Sequence, residues 1–192
     1  MRIGIDLDNT LADYRRPLER LCALHGVGGE HKDPKLALRE ELRSRGDEAR
    51  WTLLQGELYG PLMQEAGVFA GAAAALNGWL SSGAEVFVVS HRTRHPIAGE
   101  KHDLHAHARR WIEEQGLRVD GIFFEESKGT KVGRIKSLQC DFFIDDLPEV
   151  LTRNDFPVGT RRILFDPGLS HGVIAGVQTA ATWAEVEVLV RS

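Results

Sequence analysis

Two carboxylates spaced two residues apart, Asp6 and Asp8, close a short apolar run, Ile3-Gly4-Ile5, and a hydroxyl follows at Thr10. In an extended strand, residues i and i+2 share a face, so the two charges crowd each other. Such crowding is unfavourable unless a cation lies close or one carboxyl holds a proton. The spacing therefore reads as a place for a divalent metal and for a carboxylate nucleophile, Asp6, beside an acid/base partner, Asp8. A carboxylate attacking phosphorus forms an aspartyl-phosphate, which splits one hard displacement into two easier ones. Asp8 would protonate the leaving alcohol, then take the proton of the water that frees the enzyme.

Other groups able to join this chemistry also stand at the ends of apolar runs. Val86-Phe87-Val88-Val89 ends at Ser90, and Phe142-Phe143-Ile144 ends at Asp145-Asp146, with Lys128 and Lys131 shortly before it. His91-Arg92-Thr93-Arg94-His95 follows Ser90 and makes that edge cationic, which suits an anionic substrate. His91 is its first candidate phosphate contact. Magnesium prefers oxygen ligands and keeps several waters, so two or three protein oxygens suffice. The expected ligands are the Asp6 and Asp145 carboxylates and the Asp8 main-chain carbonyl. Asp146 would act through water or cap its loop. His102 and His105 lie at i, i+3, with His95 and His107 nearby, but no Cys or Glu completes a zinc spacing, so these read as solvated side chains.

These groups need elements to carry them. Strands are predicted over 2–6, 85–89, 120–124, 141–145 and 161–165. Most are continuous apolar runs, which suits a parallel sheet buried on both faces. Helical patterns lie between them. One covers 70–82 and stops at Gly83. Another follows the cap Asp103 with a stripe of Leu104, Ala108, Trp111 and Ile112. A short helix spans 131–139, opened by Lys131, and Thr182 with Glu185 marks a capping box before a last helix. Strands alternating with helices argue for an α/β fold with a doubly wound parallel sheet. Ligands of such folds sit beyond the carboxyl ends of the strands, where Asp6, Ser90 and Asp145 all fall. The Asp166-Pro167-Gly168 stretch reads as a structural turn.

Residues 15–69 break the alternation. Leu38 and Leu42 stand at i, i+4 among charges, and from Trp51 on, Leu54, Leu58 and Leu62 repeat every four residues along a helix that Gly60-Pro61 breaks or kinks near its end. The expected division is a core of 1–14 and 70–192 with a helical insertion at 15–69.

The ordered set Asp-x-Asp-x-Thr, Ser, Lys, Asp-Asp resembles the haloacid dehalogenase-like (HAD) hydrolase superfamily over roughly residues 1 to 150. That resemblance implies a HAD-like core, a magnesium ion, and an insertion at 15–69 that acts as a substrate-selecting cap. It implies that Ser90 holds a phosphoryl oxygen, while Thr10 either does so too or braces the loop. It implies a lysine that neutralises the transferring group; Lys131 is the first choice and Lys128 the second. Asp8 points to the phosphatase branch, since dehalogenase members lack it, and the small cap is similar to that of 5'-nucleotidase-like members. The implied activity is hydrolysis of a phosphomonoester of a small metabolite, a nucleotide or sugar phosphate. A phosphotransferase or mutase with the same intermediate, or a silent phosphate-binding module, remains open at this point.

Composition bounds the rest. An apolar share of 42% and a charged share of 27% over 192 residues are those of a soluble globular chain. A net charge of -4 gives no nucleic-acid footprint and no membrane-surface face. Cys22 and Cys140 form neither a metal spacing nor a disulfide framework. The expected location is cytoplasmic, and oligomeric state is not legible.

Overall fold

The computed structural model describes residues 1–29, 31 and 33–192; Glu30 and Lys32, inside the predicted insertion, lie outside the described residues. Six strands form one parallel sheet: β1 (Arg2–Ile5), β2 (Glu85–His91), β3 (Gly121–Glu125), β4 (Phe142–Asp145), β5 (Arg161–Phe165) and β6 (Gln178–Ala180). Their spatial order is 3-2-1-4-5-6. The order reverses beside β1, and a crevice opens at such a switch point beyond the strands' carboxyl ends. The sheet is a doubly wound α/β sheet, as the continuous apolar runs require. Ile3, Ile5, Val86, Val88, Phe143, Ile144, Ile163 and Leu164 are all fully enclosed.

Register does the positioning. Ile5 pairs with Val88 on one side and Ile144 on the other, and the Asp6 N–H continues the ladder to the Ile144 carbonyl at 2.8 Å. Asp6 and Asp145 therefore end neighbouring strands, about 4.8 Å apart in the pairing direction. Gly4 makes close packing possible there: a Cβ at that position would lie 2.6 Å from the Phe143 ring.

The chain folds as two compact units. The α/β unit comprises Met1–Ala12, Val68–Arg92 and Gln115–Ser192. Besides the sheet it holds α4 (Ala72–Ser81), α6 (Lys128–Ser137), α7 (Pro148–Leu151) and α8 (Trp183–Arg191). Helix α4 starts two residues later than predicted, because Gly71 at φ 90° precedes it. Strand β6 escaped the pattern reading: three residues with an exposed Thr179 make no apolar run.

The helical unit comprises Asp13–Gly67 and Thr93–Glu114. It holds α1 (Arg15–Leu24), α2 (Pro34–Ser44), α3 (Glu48–Tyr59) and α5 (Leu104–Glu114). Leu38 and Leu42 form the buried edge of α2 as read. Helix α3 ends before Pro61, which opens a 3-10 turn, so Met63 is buried where the four-residue repeat pointed to Leu62. This unit differs from the expected 15–69 by including 93–114. The reason is packing: α5 buries its Leu104, Ala108, Trp111 and Ile112 stripe, and the Trp111 indole donates to the Ala66 carbonyl at 2.9 Å. An amphipathic stripe tells which face is buried, not what covers it. No helix of the described residues is long and apolar enough to cross a membrane.

Candidate active site

Asp6 leaves β1 into a tight loop. Asn9 takes φ 60°, a left-handed conformation that asparagine tolerates, and the Leu7 carbonyl accepts from both Leu11 N–H and Ala12 N–H. The loop turns back on itself and buries Leu7, Thr10 and Leu11. From the far end of the sequence, the Trp183 indole N–H donates to the Thr10 carbonyl at 3.1 Å. The Thr10 carbonyl thus braces the loop. Its hydroxyl is buried without a hydrogen-bond partner among the described residues.

Lys131 reaches this point from α6. That helix begins at Lys128, three residues earlier than predicted, because Ser127 and Thr130 form a reciprocal cap. The Ser127 hydroxyl accepts from Thr130 N–H at 3.1 Å, and the Thr130 hydroxyl accepts from Ser127 N–H at 3.2 Å. The cap fixes the phase of the helix, so Lys131, Val132 and Ile135 face inward. The Lys131 ammonium lies 2.5 Å from Asp6 Oδ1 and 2.7 Å from Asp145 Oδ2, fully enclosed, with the Phe143 ring 5.5 Å below. Lys128, the other lysine left open, instead pairs with Glu149 at 2.8 Å on the surface.

Burial would strip the lysine of its proton, but Asp145 and Asp6 more than offset this and hold it charged well above the ordinary range. Asp6 responds the other way. Burial pushes its carboxyl up, Lys131 pulls it down, and Asp145 and Asp8 push it up again, to about 7. One ammonium is shared between two carboxylates, so negative charge is left over. Asp145 is further fixed by Leu147 N–H, which donates to its Oδ1 at 3.0 Å.

The remaining predicted residues separate by strand parity. Ser90 is buried at the carboxyl end of β2, His91 is exposed, and Arg92 is buried again. This is the period of two expected of extended chain. Ser90 therefore shares its face with Arg92, while the His91 ring meets the Glu126 carbonyl at 3.2 Å. His91 thus lies on the opposite face of the strand from Ser90 and Arg92. Arg92 ion-pairs with Asp8, Nη2 to Oδ1. Sequence reasoning counted Arg92 only within a cationic cluster; the i, i+2 relation to Ser90 was the signal that singles it out.

Asp6, Asp145 and Asp146 each offer a carboxylate oxygen within 4.8 Å of one another, and they are the candidate metal group among the described residues. Hard oxygen donors on buried chain suit magnesium rather than a softer metal. The histidines join no such group. His102 instead sits 3.3 Å from Glu57 in the helical unit. Asp166 ends β5 in a turn: burial would raise its carboxyl, but His171 N–H at 2.8 Å and the Ser170 hydroxyl at 3.0 Å hold it below the usual range.

No protein-family model and no curated relative matches this sequence. Solved structures do. A HAD-hydrolase of Bacillus subtilis with magnesium bound superposes with a TM-score of 0.61 at 14% identity, covering 100% of this chain and 98% of that one. The D,D-heptose 1,7-bisphosphate phosphatase of Burkholderia thailandensis gives 0.54 at 12% identity, with 100% and 98% covered. The L-2-haloacid dehalogenase of Xanthobacter autotrophicus also gives 0.54 at 12%, with the same coverage. Sheet order, the register that joins Asp6 to Asp145, and these superpositions lead to one statement: the chain has the fold of the haloacid dehalogenase-like hydrolases.

Proposed function

We propose that the protein is a magnesium-dependent phosphomonoester hydrolase that acts through a phosphorylated Asp6. The observation that carries this reading is the enclosed Lys131 ammonium shared by Asp6 and Asp145, beside a third carboxylate. Asp6, Asp145 and Asp146 would hold the ion, with the Asp8 carbonyl as a further ligand. When bound, it supplies positive charge that offsets repulsion between Asp6 and a phosphate dianion.

In the first step the Asp6 carboxylate attacks phosphorus. The bond from phosphorus to the ester oxygen breaks, and Asp8 gives its proton to that oxygen, so the alcohol leaves neutral. In the second step water attacks phosphorus and Asp8 takes a proton from it. The bond to Asp6 breaks, releasing inorganic phosphate. Lys131 stabilises the charge that gathers on the transferring group, as a preorganised cation in a dry site. Ser90 and the Thr10 hydroxyl are proposed to hold phosphoryl oxygens, and the helical unit to select among substrates.

Neighbours in fold include a dehalogenase. Halide departs without needing a proton, whereas an alkoxide does not. An acid at Asp8 therefore favours the phosphoryl reading.

A panel of nucleotide and sugar monophosphates with magnesium tests this, alongside Asp6→Asn. We expect turnover of at least one phosphomonoester, a loss of about a thousandfold or more in the variant, and release of phosphate rather than its transfer when a competing alcohol is added. Full activity in Asp6→Asn would refute the nucleophile.

A further inference from the structure

Arg92 plays no part in the steps above, yet it is a buried cation placed on the residue through which both steps pass. Its backbone is fixed first: the Arg92 N–H donates to the Glu125 carbonyl at 2.9 Å, which extends the pairing of β2 with β3 past the end of the strand. Its guanidinium then meets the Asp8 carboxylate. The pair is lopsided. The arginine side chain is 3% exposed and the aspartate side chain 17%. The cation thus lies beneath Asp8, and the carboxyl keeps an edge towards solvent.

An Asp carboxyl turns about a broad, roughly two-fold torsion, so nothing in its own side chain fixes the direction of its oxygens. A planar guanidinium on one of them does. We propose that Arg92 is a positioning residue for Asp8: it fixes the plane and depth of the carboxyl so that the outward oxygen meets the leaving group. This rests on the acid/base reading of Asp8 given under the proposed function. A direct grip of Arg92 on the phosphoryl group is the competing arrangement, and the enclosed position of the guanidinium disfavours it.

The two differ in how they depend on the leaving group. A phosphoryl contact serves every substrate alike, whereas an acid matters only when the departing oxygen needs a proton. Arg92→Gln is to be assayed with magnesium on an alkyl phosphate and on 2,4-dinitrophenyl phosphate, whose phenolate leaves unprotonated. The expected loss in kcat/KM is about 30- to 100-fold on the alkyl ester and less than about threefold on the activated one. Arg92→Lys recovers part of the first loss. Asp8→Asn shows the same selectivity, and adding Arg92→Gln to it costs no further activity. Equal losses on both esters would overturn the assignment.

Thermal melts judge the pair without turnover. Asp8→Asn removes the carboxylate charge that meets the buried guanidinium and should lower Tm by about 5–10 °C, and a double variant with Arg92→Met should regain most of it. Additive shifts would also overturn the proposal. Wild-type protein inert towards every phosphomonoester would instead defeat the proposed function, so the two failures are told apart.

Discussion

An ammonium enclosed by protein is tolerated only if its charge is met, and at Lys131 it is met by Asp6 and Asp145. Breaking one side of a buried ion pair strands the other, at a cost of about 3–5 kcal/mol. Lys131→Met keeps the volume and removes the charge. We expect it to lose stability of that order in EDTA at pH 8, and activity by about a hundredfold or more. Urea unfolding and a turnover assay check this, and unimpaired turnover would sink the role. The raised carboxyl of Asp6 has its own consequence. Between the usual aspartate range and about 7, the folded state holds a proton that the unfolded state has lost. Stability of metal-free protein is therefore full on the acid side and falls as pH rises through that window, by on the order of 1–3 kcal/mol. Carboxyls that the fold holds below their ordinary range, such as Asp103 and Asp166, lose their contribution only as pH falls below that range, so they do not mask it. Melts in EDTA from pH 5 to 8 should show Tm falling in wild type and level in Asp6→Asn. Magnesium should raise Tm more at pH 8 than at pH 5, because it replaces the proton.

At the scale of elements, two small features hold the site in register. Gly4 lets β1 lie against Phe143, whose ring supports Lys131 from below. Gly4→Ala would push that ring aside, since its Cβ would lie 2.6 Å from Phe143. The expected penalty is about 1–3 kcal/mol from overpacking, with activity falling alongside Tm. Ser127→Ala removes half of the reciprocal cap of α6, for about 1 kcal/mol and a Tm lower by a few degrees. A helix whose fluorescence-monitored unfolding ignores that change would show the cap to be idle. The sequence made Asp6, Ser90 and Asp145 legible because each ends a continuous apolar run, and burial on both faces leaves that mark on a strand. It left Lys128 and Lys131 tied, because the deciding cap is a pair of ordinary polar residues, Ser127 and Thr130. Arg92 was legible only through its parity with Ser90, and the extension of β2 to His91 that sets this parity depends on pairing with β3.

Across the whole molecule, the two units differ in how their interiors are built. The α/β unit buries the apolar side chains of β1, β2 and β4, at the middle of its sheet, while α3 in the helical unit alternates buried with half-buried positions along most of its length. Local opening follows such differences in burial. Amides of α2 and α3 should exchange with deuterium before those of β1 and β4, as mass spectrometry of peptides can show; the reverse order would contradict this account of the interior. The inclusion of 93–114 in the helical unit was illegible for a related reason. Its attachment rests on contacts such as Trp111 with Ala66, between segments far apart in sequence.

The indole of Trp183 closes on a carbonyl that was synthesised 173 residues earlier. A nascent chain leaving the ribosome therefore displays Asp6 and Asp8 long before Asp145, Lys131 or the brace exists. The loop that carries Asp6 is therefore pinned only once α8 has emerged, although its own residues are among the first to be made.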